Sequence, residues 1–226
     1  MKKLLSVLSV FALAAIAAGT ASAGSIATPT GLNPGDQFRI VFLTFPASAT
    51  LPTSSNLSTY DNIVSSDATG YTYGGKSPIW KAIVSSAGID AKDHIGLQST
   101  SVVPLYTVSG TKVSGGNLWS GALLNQINVQ IDGSLSPAGV WTGTSEYGTG
   151  ATLHTMGSQS VRYGIPAAVD SYWISQGNSS SGIPRCLYGI SEVLTVPSAV
   201  PEPSTVMLVG LGGLAALGYS FKRKRN

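Results

Sequence analysis

The chain has 226 residues, of which thirteen are Lys or Arg and ten are Asp or Glu. Six of the cations lie at the two chain ends, so residues 24–200 keep seven cations against nine anions. This weakly acidic balance lacks the clustered basic patch that a nucleic-acid partner requires, and it excludes that class. The single cysteine, Cys186, excludes an intrachain disulfide.

The N-terminus has the composition of a secretory signal peptide. Two lysines precede an apolar run, and Ala21 and Ala23 supply the small side chains of a signal-peptidase site. We expect residues 1–23 to form a signal helix that signal peptidase removes, which makes Gly24 the mature N-terminus. The alternative is a retained N-terminal anchor.

The first half of the exported segment contains three apolar patterns. Residues 36–44 alternate and then run apolar, which predicts a first strand. Apolar side chains at helical spacing predict a helix over residues 57–66. Residues 79–84 follow a proline and predict another strand, whereas residues 90–95 are polar and predict a loop.

The second half predicts further short elements. Residues 102–113 have the pattern of a β-hairpin with Ser-Gly at its turn. Residues 122–124 predict a short helix with Asn117 as its N-cap. Residues 139–144 predict a core strand interrupted by glycine, and residues 187–196 predict the closing strand.

Five short motifs follow one another in this part of the chain. They are Trp-Lys-Ala-Ile-Val at 80–84, Val-Pro-Leu-Tyr at 103–106, Leu-Trp-Ser-Gly at 118–121, Asp-Gly at 132–133 and Val-Trp-Thr-Gly-Thr at 140–144. Their order resembles that of endostatin-type domains, which have a C-type lectin-like fold. The resemblance covers residues 80–196 and implies a lectin-like fold there. We predict one α+β, lectin-like ectodomain over residues 24–196, with mixed short strands and two short helices.

Two features of that family are missing here. The disulfides that usually pin such domains are excluded by the single cysteine. The Glu-Pro-Asn, Gln-Pro-Asp and Trp-Asn-Asp motifs of calcium-dependent sugar binding are also absent from the sequence. Calcium-dependent sugar binding is therefore not implied by the resemblance.

The two histidines give no recognisable metal or base motif. His94 is close in sequence to Asp90 and Asp93, but zinc sites need three or four ligands at characteristic spacings. We interpret this segment as a solvated loop, and we interpret His154, which has no local partner, in the same way. No Gly-rich phosphate or dinucleotide loop is present, so we predict no metal site and no cofactor.

The candidate nucleophiles and carboxylates do not form a specific catalytic motif in the sequence either. No Gly-x-Ser-x-Gly elbow exists to expose a serine, and Cys186, in a predicted strand, is expected to be a buried apolar side chain. Glycoside hydrolysis needs only two carboxylates that the fold brings together. The acids open to that role are Asp132, Glu146, Asp170 and Glu192.

Aromatic side chains offer stacking surfaces for sugars. Trp119 and Trp141 lie in apolar contexts and are predicted to be core residues. Tyr147 lies in a Gly-rich loop, residues 145–150, and is the aromatic that we expect to be exposed. It is our candidate ligand-binding residue.

The C-terminal end has three parts. Pro201, Glu202 and Pro203 hold an extended backbone around one carboxylate. They are followed by seventeen uncharged residues, 205–221, long enough to span a bilayer core as a helix of about 25 Å. The final segment, residues 222–226, carries four cations that act as a membrane stop: Lys222, Arg223, Lys224 and Arg225.

This arrangement resembles the PEP-CTERM sorting signal of Gram-negative bacteria. The resemblance implies that an exosortase-type protease processes the chain near residues 197–204, a linker with the Pro-Glu-Pro motif. It also implies export through the inner membrane, transient anchoring in the lipid bilayer with the ectodomain in the periplasm, and delivery to the outer surface or the extracellular matrix. The alternative is an ordinary C-terminal anchor.

Two functions remain open from the sequence. The first is a non-catalytic binding or structural ectodomain at the cell surface or in the exopolysaccharide matrix, with polysaccharide as a possible partner. The second is a matrix-directed hydrolase that uses a carboxylate pair. The first is favoured by low charge, many hydroxyl side chains and the lack of a catalytic motif.

Overall fold

Short strands and three short helices make up the regular structure of residues 24–198, the residues that the computed structural model describes. The strands are β1 (Gln37–Leu43), β2 (Trp80–Ala82), β3 (Leu105–Thr107), β4 (Lys112–Ser114), β5 (Val140–Trp141), β6 (Ser160–Gly164), β7 (Gly177–Ser180), β8 (Tyr188–Ser191) and β9 (Leu194–Thr195). The helices are α1 (Ser58–Asp67), α2 (Ala91–His94) and α3 (Tyr172–Ser175).

This mixture of sheets and few helices is consistent with the predicted α+β class, although the described residues contain three α-helices where two were predicted. Within residues 24–198 no helix has both the length and the apolar character needed to cross a bilayer. The predicted signal helix, residues 1–23, and the predicted membrane helix, residues 205–221, lie outside the described residues.

Strand β1 lies at the centre of a six-stranded mixed sheet. It pairs in parallel with β3 and antiparallel with β8 and β9. β2 and β4 lie at the two ends of the strand order, beyond β8 and β3. The predicted closing strand, residues 187–196, is two short strands in the structure, β8 and β9, and both pair with β1.

The alternation of side chains along β1 divides the core into two layers. Successive buried residues enter different hydrophobic clusters, with Phe38, Ile40 and Phe42 in one and Val41 and Leu43 in the other. Helix α1 packs in the first cluster through Tyr60 and Val64. Helix α2 contributes Ala91 to the second. The sheet is therefore covered on both faces.

A second, antiparallel sheet has three strands in the order β5-β6-β7. The backbone N–H of Trp141 on β5 donates to the carbonyl of Cys186, which precedes β8 of the first sheet, at 3.0 Å. Strand β5 covers only part of the predicted core strand, residues 139–144, because Gly143 has φ +61° and interrupts the extended backbone. A Cβ at that position would lie 2.7 Å from the backbone of Ser85 and Met156. The close approach of these backbone segments therefore requires glycine.

Several local predictions are confirmed. Helix α1 begins and ends one residue after the predicted 57–66. The hairpin is formed by β3 and β4, with Gly110 at φ +82° in its turn. Trp119 and Trp141 are 5% and 0% exposed, respectively, and are core residues as predicted.

Two local predictions are wrong. Residues 122–124 are not helical, because the N–H groups of Leu123 and Leu124 donate to the carbonyls of Val169 and Val113 in other segments. Asn117 instead accepts a hydrogen bond from the N–H of Trp119 at 2.8 Å. The predicted loop over residues 90–95 contains helix α2, because Ala91 and Ile95 are buried in the second cluster.

Candidate functional site

His94 pairs with Asp61 and not with its sequence neighbours. Its Nε2 lies 2.9 Å from Oδ1 of Asp61 on α1. The same oxygen accepts the backbone N–H of Ala82 at 2.8 Å. Because α1 and α2 pack in different clusters, this pair bridges the two layers beside the edge strand β2. The interpretation of His94 as part of a solvated loop is therefore wrong, and its contacts give it a structural role.

We expect replacement of Asp61 by alanine to destabilise the fold. The change leaves the Ala82 N–H without its partner, and such a loss costs about 1–3 kcal/mol in the free energy of unfolding. Urea unfolding of both proteins measures this difference. The exposed Asp93→Ala variant on α2 is the matched control, and equal stability of the two variants would contradict the bridging role.

The other chemically reactive side chains are inaccessible or held locally. Cys186 is buried, and burial raises the pKa of its thiol above the ordinary value, which disfavours the thiolate. Nδ1 of His154 lies 3.2 Å from the carbonyl oxygen of Ser160. Among residues 24–198, no three His, Cys, Asp or Glu side chains form a group that could hold a metal ion.

No two of the four acids open to a hydrolytic role share any of four clefts in the described structure. Four clefts are each lined by one carboxylate: Glu192 in two of them, Asp67 in the third and Asp132 in the fourth. Glu192 accepts the N–H of Ile79 at 3.1 Å, and Asp170 accepts that of Tyr172 at 3.0 Å. Glu192 thus binds a segment that is distant in the chain, and Asp170 binds the backbone at the start of α3.

Tyr147 is 67% exposed, as expected for the loop at residues 145–150. The loop is closed by hydrogen bonds between its two ends. The N–H of Ser145 donates to the carbonyl of Thr149 at 2.8 Å, and the two hydroxyl oxygens lie 2.7 Å apart. The N–H of Gly148 also donates to the carbonyl of Ser145 at 3.1 Å. The loop therefore presents Tyr147 on an ordered backbone.

The same loop is fixed to the body of the protein. Gly148 has φ +76° and lies against the ring of Trp119, where a Cβ would come within 2.5 Å of a ring carbon. The N–H of Gly150 donates to Oδ1 of Asp90 at 2.8 Å. The carbonyl of Gly148 accepts the N–H of Lys92 at 3.1 Å.

Charged groups lie at the base of this loop. Nζ of Lys92 is 3.8 Å from Oδ2 of Asp90, and both side chains are partly exposed. The loop thus carries an exposed aromatic ring, and its backbone contacts one residue with a carboxylate and one with an ammonium group. That combination suits a ligand with flat apolar faces and hydroxyl edges.

Backbone hydrogen bonds fix the C-terminal end of the described residues to the domain. The N–H of Val196 donates to the carbonyl of Asp36 at 2.9 Å, and its own carbonyl accepts the N–H of Gly35 at 3.0 Å. Pro197 then lines a cleft beside Tyr73. Four residues, 197–200, lie between Val196 and the first proline of the Pro-Glu-Pro motif, Pro201.

Residues 199–224 match the family model described as the PEP-CTERM protein-sorting motif. The matched segment contains the Pro-Glu-Pro triplet, the apolar run and three of the four terminal cations. This match confirms the motif identified in the sequence. It implies an exported protein that an exosortase recognises and processes at the cell envelope. None of the curated proteins compared with the chain matches it.

Proposed function

We propose that the chain delivers a non-catalytic binding ectodomain to the cell surface or to the exopolysaccharide matrix. The observation that carries this proposal is the sorting motif at residues 199–224. In this account the segment after Pro203 anchors the chain transiently in the inner membrane, with the ectodomain in the periplasm. Processing near the Pro-Glu-Pro motif then releases it for delivery.

We also propose that the ectodomain is lectin-like. Support comes from the buried Trp119 and Trp141 and from the closing strands β8 and β9, which each pair with β1. Binding in such a domain is proposed without calcium, since the calcium-binding sequence motifs are absent. The single carboxylate in each of the four clefts gives no specific support to a hydrolase.

The proposed ligand is a polysaccharide, with Tyr147 as the stacking surface. Its loop is ordered by backbone hydrogen bonds before any ligand arrives, which reduces the entropy lost on binding. Asp90 and Lys92 lie beside it and supply polar contacts for sugar hydroxyl groups. The low net charge of residues 24–200 suits a ligand that is recognised by stacking and hydrogen bonds.

Tyr147→Ala tests this site. We expect retention of the protein on exopolysaccharide extracted from the producing bacterium to weaken about fivefold, which corresponds to the loss of about 1 kcal/mol of aromatic contact. Co-sedimentation measures the bound fraction. The melting temperature should not change, because the side chain is exposed.

Two variants control for this result. Tyr147→Phe retains the ring and should bind like the parent protein. Tyr172→Ala removes another exposed tyrosine, on α3, and should leave binding unchanged. Unaltered retention of Tyr147→Ala would contradict the proposed site.

A further inference from the structure

The first described residues form an isolated parallel β-bridge, between Ser25 and Thr72. The N–H of Ile26 donates to the carbonyl of Thr72 at 2.8 Å, and the N–H of Thr72 donates to the carbonyl of Gly24 at 2.9 Å. Ile26 is buried in the first hydrophobic cluster. Gly24 is thus held in place immediately after the predicted cleavage point.

Gly24 lies against an aromatic ring. A Cβ added to it would overlap the ring of Tyr71, so only glycine allows this close approach. Tyr71 itself packs against the first hydrophobic cluster. The main chain of Gly24 therefore lies beside an aromatic ring, and aromatic rings attract cations through their π-faces.

One carboxylate faces the same cleft. Among residues 24–198, Asp132 is the only charged side chain that lines this cleft, which is also lined by Gly24 and Tyr71. The N–H and hydroxyl of Ser134 both donate to Oδ1 of Asp132, at 2.9 and 2.7 Å. These bonds lower the pKa of Asp132, so it is ionised. Burial, and then the charge of Asp132, raise the pKa of Tyr71.

We propose that this cleft is the binding site for the chain's own α-ammonium group, formed at Gly24 when the signal peptide is removed. Hydrolysis of the Ala23–Gly24 bond consumes one water and leaves a carboxylate on Ala23 and an amine on Gly24, which takes up a proton near neutral pH. Asp132 provides the counter-charge and Tyr71 the aromatic surface. In the precursor the same nitrogen is an uncharged amide, so the contact exists only in the processed protein.

This inference rests on the predicted cleavage after Ala23 and is independent of the proposed polysaccharide binding. Its test uses two forms of the chain in detergent, one that begins at Gly24 and one that retains Ala21, Ser22 and Ala23. The Gly24 form is released from a fusion cut immediately before that residue. Each form is prepared with Asp132 and with Asp132→Asn.

We expect Asp132→Asn to lower the melting temperature of the Gly24 form by about 1–3 °C more than that of the extended form. The comparison subtracts any effect on the Ser134 hydrogen bonds, since both forms share them. Asp170→Asn is the matched control, because Asp170 is also exposed and also accepts a backbone N–H two residues ahead. It should affect both forms equally.

A second readout follows the amine directly. In the Gly24 form, NMR titration of the ¹³C-labelled Gly24 α-carbon should give a higher α-amino pKa with Asp132 than with Asn. Equal pKa values together with equal melting shifts would overturn the proposed site. N-terminal sequencing of the exported protein tests the cleavage separately, and a mature N-terminus at another residue would overturn the role of the cleft in maturation.

Discussion

Replacing Glu202 with alanine is expected to block C-terminal processing while leaving membrane insertion intact. The substitution removes the only carboxylate of the Pro-Glu-Pro motif but leaves the apolar run at 205–221 and the four terminal cations unchanged. Insertion depends on those two features. The uncleaved chain should therefore accumulate in the inner membrane, and immunoblotting of fractionated cells detects it.

Ser204→Ala is the matched control for that experiment, because it changes the residue that follows the Pro-Glu-Pro triplet and leaves the triplet itself unaltered. It should be processed like the parent chain. If Glu202→Ala is also processed and delivered normally, Pro-Glu-Pro is an ordinary linker and its proposed role in processing is wrong.

Replacing Trp141 with alanine should destabilise the ectodomain by about 3–5 kcal/mol, the usual cost of emptying a large aromatic site in a core. Its side chain is fully buried, and its indole N–H donates to the carbonyl of Ile183 at 3.0 Å. The guanidinium carbon of Arg185 lies 5.0 Å from the ring centre. Such a loss is a large fraction of the stability of an ordinary domain.

Urea unfolding followed by fluorescence measures this loss. Trp141→Phe should cost less, because phenylalanine keeps much of the apolar volume and loses only the indole hydrogen bond and part of the ring. Tyr147→Ala is the exposed control. A cost near zero for Trp141→Ala would contradict the assignment of this side chain to the core.

The parts of the fold that the sequence predicted are those with a strong local pattern. Strand β1 alternates between polar and apolar residues and then continues as an apolar run. Helix α1 has apolar residues at helical spacing. The hairpin turn contains Gly110, which adopts the positive φ that favours glycine. In each case the pattern within one segment and its burial in the fold agree.

The failures arise where distant segments decide the structure. Asn117 is a good N-cap residue, yet the N–H groups of Leu123 and Leu124 bond to Val169 and Val113 and not within a helix. Asp61 and His94 are thirty-three residues apart and meet only because their helices lie on opposite faces of the sheet beside its edge. No periodicity signals such a pair.

The candidate site was predictable only in part. A tyrosine in a Gly-rich loop indicates exposure, and Tyr147 is exposed. The contact of Gly148 with Trp119 and the bond from Gly150 to Asp90 join positions that are far apart in the chain. These contacts order the loop, and the sequence does not reveal them.

The most direct test of the sorting account is the intact mass of the protein recovered from the cell surface and the extracellular matrix. The account predicts a chain that begins at Gly24 and has lost the apolar run and the basic residues Lys222 to Arg225. Recovery of a chain that still carries residues 205–226 in the delivered fraction would contradict it.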